Sequence, residues 1–487
     1  MSFSDLALTD DDPLFRETHY ARYGYERTNI FGLVTLDSRL LTYMDRPDEF
    51  PSTRFEKLPE APVPDYTQPL SKPVRHFIAA SSSELTAFIS RDGYWNCLCI
   101  TLGLEAGKSE VIAIDAVEEN QDKIKLLVAL AVAEKVDEES EELAYSLRIY
   151  GNHTNTKPFL EQALFAIGDS SQIIPLMDAP MQISHVQIQH EDRLQTAFLL
   201  TSMDGIIHLY VQSSETGQFI ELPSSTFFPL MGGISNHRTK ILFMHLFDQP
   251  NGKRVICAGG QNGELFLAFY NKRKWSSLSI PLSISYPSPP LFVDGKEIKS
   301  HAIRIFSPIT SVLVFQPRTS SHPDDELHLV VTCAIEQAIV YRSIQTDGLS
   351  TSRTLPLSGN FDSVLCSHVM DVDWDGEKEI LIGTYGRQVL IYKQVAGTQV
   401  YTVLWRRQFA YPIYRMTHLD LNRDGLDELI VTTMYGVHIF QPNMKKARER
   451  LLEVLQYVEA SKRQKYELLV EWQRQKELEK SIVFESQ

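Results

Sequence analysis

No run in this chain is long and apolar enough to cross a bilayer, and its opening stretch, MSFSDLALTDDDPLF, has neither a basic n-region nor an apolar h-region. We therefore expect no direct membrane insertion and a cytoplasmic protein, with any attachment to a membrane made through partners. Cysteine is scarce: Cys97, Cys99, Cys257, Cys333 and Cys366 are odd in number and form no CxxC pair, which speaks against a disulfide framework or a zinc site. Positive charge is in deficit, with 47 basic against 62 acidic residues and a formal net charge of −15, so nucleic acid is not the expected partner. Catalytic signatures are missing too. There is no P-loop, GxSxG elbow or HExxH, and GGQNG reads as a hairpin turn rather than a phosphate cradle. The expectation is a non-enzyme without a cofactor, although a channel assembled from several repeats can bring distant residues together in a way no motif discloses.

What the chain does have is repetition. Five segments share one design, a β-rich run, a short turn and a second β-rich run closed by an aromatic: AFLLTSMDGIIHLY, VICAGGQNGELFLAFY, LVVTCAIEQAIVY, ILIGTYGRQVLIY and LIVTTMYGVHIF. The turns hold Asp204-Gly205, Asn262-Gly263, Tyr385-Gly386 and Tyr435-Gly436, where glycine is expected to supply a positive φ, while the third copy has Glu336-Gln337 and needs another turn type. NIFGLVTLDSRLLTY and the pair LLVALAVAE and YSLRIYG look like degenerate copies. Hairpins at such intervals, with no amphipathic helix between them, predict an all-β β-propeller of about seven blades over residues 15–440, preceded by a flexible arm, 1–14. Two insertions interrupt it, a proline-rich loop over 45–75 and an acidic loop, EKVDEESEEL, over 134–143.

Two acidic stretches, DVDWDGEKEI and DLNRDGLDEL, stand 49 residues apart, each just ahead of a predicted strand. Oxygen ligands at alternate residues with a central glycine are what a hard cation such as calcium requires. The candidate ligands are Asp371, Asp373, Asp375, the Glu377 carbonyl and Glu379 in the first stretch, and Asp420, Asn422, Asp424, the Leu426 carbonyl and Glu428 in the second. The competing reading is structural: the aspartates accept backbone N–H groups in Asx-turns and the glycine sets the reversal. Flanking strands and a missing twelfth-position glutamate exclude an EF-hand. The spacing is similar to the FG-GAP repeats of integrin α-subunit propellers, whose loops bind calcium outside the cell.

Residues 441–487 change character to dense charge without Gly or Pro after Pro442, and predict a long C-terminal α-helix. Leu451, Leu455, Val458, Leu469 and Trp472 recur at helical spacing along one stripe, together with Ala447. That stripe requires an apolar cover, either the side of the propeller or another subunit.

Taken together, FDSVLCSHVMDVDWDGEKEILIGTYGRQVLIYK, LWRRQFAYPIYRMTHLDLNRDGLDELIVTTMYGVHI, QTAFLLTSMDGIIHLY and HLVVTCAIEQAIVYR resemble the kaptin family, in segment order as well as in the trailing charged helix. The resemblance implies a non-catalytic scaffold subunit of the KICSTOR complex. That complex recruits the GATOR Rag-GTPase-activating complex to lysosomes and restrains mTOR complex 1 when amino acids are scarce. It also implies an integrin-alpha FG-GAP repeat-containing propeller and other KICSTOR subunits as partners, and association with F-actin in cell projections as an alternative role.

Overall fold

A computed structural model describes residues 14–42, 70, 72–120, 124–137, 142–153, 159–190, 193–228, 239–249, 252–271, 291–293, 296–298, 300–318 and 326–485. Residues 1–13 of the expected arm, most of the proline-rich loop and the centre of the acidic loop over 134–143 lie outside the described residues.

Seven four-stranded antiparallel sheets form the seven blades of a β-propeller. The innermost strands are Leu33–Ser38, Ser109–Asn120, Pro180–His190, Ile241–Asp248, Ile309–Phe315, Val364–Met370 and Ile413–Leu419, in blades 1 to 7. Blade 7 is closed from the other end of the chain. Phe15–Arg22 pairs antiparallel with Gly436–Pro442 as the outer strand, so the ring has no free seam there. Each of the five hairpin segments supplies the second and third strands of a blade, as do the two runs of the degenerate pair in blade 2.

The sheets are covered on both faces, which explains why the hairpin runs read as continuously apolar rather than alternating. In blade 2, Leu126, Val128, Leu130 and Val132 pack toward blade 1 while Leu127, Ala129 and Ala131 pack toward blade 3. Seven buried clusters repeat that arrangement at every blade boundary, including blade 7 to blade 1 through Leu421, Ile430 and Ile439 against Phe77 and Phe88. Six inner strands carry a register shift at the same place, for example between Val364 and Cys366 and between Ile413 and Arg415.

Two expectations need correction. Gly205 and Gly263 do adopt positive φ, at 80° and 82°, but Gly386 and Gly436 do not. Their need is for space: a Cβ would stand 2.3 Å from the Phe361 carbonyl oxygen at Gly386 and 2.5 Å from that of Ala21 at Gly436, and the positive φ of the blade 6 turn falls on Arg387. A short helix, Leu160–Phe165, also lies inside blade 2, burying Leu160, Ala163 and Leu164 in the blade 1–2 core and pairing Glu161 with the buried Arg91 at 2.6 Å. At six residues it is too short for its periodicity to register in the sequence.

Candidate functional site

The two acidic loops follow the inner strands of blades 6 and 7 and share one hydrogen-bond plan. Asp371 accepts the N–H groups of Asp375 at 3.2 Å and Gly376 at 2.9 Å, and Asp375 accepts that of Glu377 at 2.8 Å. In the second copy Asp420 accepts from Asp424 at 2.9 Å and Gly425 at 2.8 Å, and Asp424 accepts from Leu426 at 2.9 Å. Glu379 and Glu428, both buried, reach back to the N–H groups of Val372 at 2.9 Å and Leu421 at 2.7 Å. Gly376 and Gly425 have φ of 87° and 91°. The loops dock differently. Glu377 bridges Arg318 of blade 5, whereas Arg423 donates to the Ser90 carbonyl at 2.8 Å and pairs with Asp92 at 3.3 Å in blade 1.

Carboxylate oxygens of Asp371, Asp373 and Asp375 lie within 4.8 Å of one another, so the first loop has the donor set a cation would use. An ammonium already stands among them. Lys393 on the third strand of blade 6 pairs with Asp373, with Asp375 at 2.6 Å and with Glu379 at 3.2 Å. Burial opposes the lysine's charge, yet its bonds to Asp373 and Asp375 and the nearby Glu379 raise its pKa. Burial likewise pushes Asp375 upward, but the hydrogen bond from Lys393 and the Glu377 N–H hold it below the usual range. In the second loop the strand registers place Gln441 where Lys393 stands, and Asn422 replaces Asp373, donating to Asp424 at 3.1 Å. Glu428 is pushed up to about 7 by burial and by Asp424 and Asp420, and burial raises Glu379 to about 7 too, despite Lys393 beside it.

A second concentration of polar groups lies on the propeller axis, in a cavity of about 460 Å³. Its wall is stitched from blade to blade. Asp115 pairs with His185 at 2.9 Å, the Gln182 side chain brackets the Met244 backbone, and His245 Nδ1 accepts the Val314 N–H at 3.1 Å. Ser311 meets Ser367 at 3.0 Å and His368 Nε2 meets His418 Nδ1 at 2.6 Å. No motif announced these residues, because each blade contributes one or two. They lie on the inner strands within three residues after the register shift, which is a feature of strand pairing and leaves no signal in the sequence.

A family model for KICSTOR complex protein kaptin matches residues 106–452. The mouse (Mus musculus) KICSTOR complex protein kaptin is 31% identical over 366 residues, which is 73% of this chain and 78% of that protein. The chain belongs to the kaptin family. A crystal structure of BBS1N in complex with ARL6DN, soaked with lead, is similar at a TM-score of 0.43 and 10% identity, covering 76% of this chain and 89% of that one.

The kaptin-family match takes in blades 2 to 6, the three inner strands of blade 7, both acidic loops and the axial histidines, and ends within the C-terminal helix, Met444–Glu485. Asn443 caps that helix, its side-chain oxygen accepting the Lys445 N–H at 3.0 Å. The start of the helix meets the propeller, where Ala447 is buried and Arg450 lies near enough to Asp375 of blade 6 to lower its pKa. Beyond it, Leu451, Leu455, Val458, Leu469 and Trp472 are 57%, 54%, 39%, 58% and 55% exposed. They share one side of the helix, and Leu451, Leu455, Val458 and Leu469 are not buried against the ring among the described residues. Leu452, Val454, Tyr457, Tyr466, Leu468 and Val470, which the stripe omitted, are exposed as well. Among the described residues no helix is long and apolar enough to cross a membrane.

Proposed function

We propose that this chain is a non-catalytic scaffold subunit of a KICSTOR-like complex. The observation that carries the reading is kaptin-family membership over 106–452, and the exposed apolar helix supports it by offering a surface that another subunit would cover. In this reading the partners are an integrin-alpha FG-GAP repeat-containing propeller and other KICSTOR subunits. The assembled complex would recruit the GATOR Rag-GTPase-activating complex to lysosomes and restrain mTOR complex 1 signalling when amino acids are scarce. The acidic loops serve this function as structural turns. Their aspartates accept backbone N–H groups, and in the first loop Asp373 and Asp375 also pair with Lys393, which supports this reading.

The test is purification of the tagged full chain from its native cells in a calcium chelator, with mass spectrometry of what co-elutes. Recovery of the propeller partner with GATOR components is expected. Actin alone, or nothing until calcium is restored, would replace this reading with a cytoskeletal or metal-dependent one. Replacing Leu451 and Leu455 by Asp should abolish partner recovery while changing the stability of the ring by less than about 0.5 kcal/mol, since both side chains are exposed. Partner binding that survives both substitutions removes the helix from the interface.

A further inference from the structure

The axial cavity holds one cation whose needs the protein leaves unmet. Arg415 enters it from the inner strand of blade 7, and its guanidinium lies 5.1 Å from the ring centroid of Phe243, on blade 4 across the axis. Phe31 stands behind that ring at 5.6 Å. Among the described residues no carboxylate lies within ion-pair distance of the guanidinium and no hydrogen-bond acceptor meets it. A guanidinium has five N–H donors, and those of Arg415, which is partly exposed, are left to the solvent of the cavity.

The neighbouring polar groups cannot make up the deficit, because they are committed to the wall. Asp115, the one carboxylate lining the cavity, is held by both its oxygens to His185 Nδ1 and accepts the Ala116 N–H at 3.0 Å. His245 is pushed down to about 4 by burial and by Arg415, and His368 and His418 are lowered by burial, so these three rings are neutral at pH 7. Asp115 raises the pKa of His185 and offsets its charge. Arg415 is the one Arg or Lys side chain lining the lumen among the described residues. Metal binding does not fit, since the axial histidines and Asp115 form no group within ligating distance among the described residues.

We propose that the axial cavity is a binding site for a small monocarboxylate, received by Arg415. The planar fork of a guanidinium matches a carboxylate in bidentate geometry. One positive charge suits a monoanion better than a phosphate dianion, which would bring an uncompensated charge into the enclosure. Leu33, Ile114, Met244 and Met416 line the cavity with their side chains buried in the cores between blades, so the surface offered to a ligand is mainly polar, and the volume falls in the range of small-ligand sites. Solvent reaches it, as the 39% exposure of the His185 side chain on the axis shows.

Titration calorimetry on the full chain, with hexanoate and benzoate as probes and hexylamine and inorganic phosphate as controls, tests the site. At least one carboxylate should bind and neither control should. Arg415→Gln should weaken that binding at least tenfold. Because Arg415→Gln removes a residue from the inner ring, the unaltered chain supplies a second reading: saturating carboxylate should slow phenylglyoxal modification of Arg415, mapped by mass spectrometry, at least fivefold. The proposal is overturned if neither carboxylate binds, if phosphate or hexylamine binds as tightly, or if a carboxylate binds without protecting Arg415.

Discussion

The acidic loops of blades 6 and 7 are built on the same backbone bonds and balanced by opposite means. The first keeps Asp373 and answers it with Lys393; the second has Asn422 and Gln441 at the matching places and needs no ammonium. The two changes belong together. Adding a carboxylate to a turn that already contains two aspartates and a buried glutamate requires a cation, and a lysine on the neighbouring strand supplies one within the chain. The shared pattern therefore encodes the turn, and the differing positions encode how its charge is compensated.

Removing the internal cation is the harshest way to break this correspondence. Lys393→Met should leave Asp373, Asp375 and Glu379 facing one another and cost about 3–4 kcal/mol, as expected when one partner of a poorly hydrated pair is deleted. The same variant should acquire a response to calcium, with part of the lost stability recovered at millimolar concentration, a range known for extracellular modules. Denaturant melts with calcium and with chelator, run beside the unaltered chain, would check both effects. No loss of stability in Lys393→Met would mean that the carboxylates do not need compensation.

The second loop offers a pH counterpart. Glu428 is raised from 4.5 to about 7, so between those values the folded chain holds a proton that the unfolded chain has released. Stability should therefore fall as pH rises from about 4.5 to 7 and level off above, by roughly 2–3 kcal/mol. In Glu428→Gln this contribution should vanish, because an amide oxygen can still accept the Leu421 N–H without titrating. Chemical denaturation of both forms at several pH values measures it. An unchanged slope in the variant would assign the pH dependence to other groups.

Much of this organisation could be read in the sequence, for definite physical reasons. A hairpin covered on both faces is written as a local apolar run with a turn in its middle, so five blades were legible at once, and the alternating aspartates announced both loops. Lys393 was not legible as their partner, because its pairing depends on the register between the second and third strands of blade 6, which side-chain pattern does not specify. The ring closure by Phe15–Arg22 was hidden by some 400 residues of separation from its partner strand. Arg415 was hidden for a related cause. Its isolation in the cavity is a property of seven inner strands together, and each strand shows only one or two of the residues involved.

The gentlest perturbation is to write one loop's chemistry into the other. Asn422→Asp alone adds a carboxylate beside Asp424 and removes the amide that donates to it, so it should destabilise by about 1–2 kcal/mol. Adding Gln441→Lys places an ammonium where blade 6 has Lys393, and most of that loss should return. The double variant then lies within about 0.5 kcal/mol of the starting chain, and the coupling between the two sites equals the loss it cancels. A coupling near zero in this cycle would show that position 441 does not reach the loop. The comparison would then rest on backbone alone, and the correspondence of Asp373 with Lys393 would be a property of blade 6 rather than of the repeat.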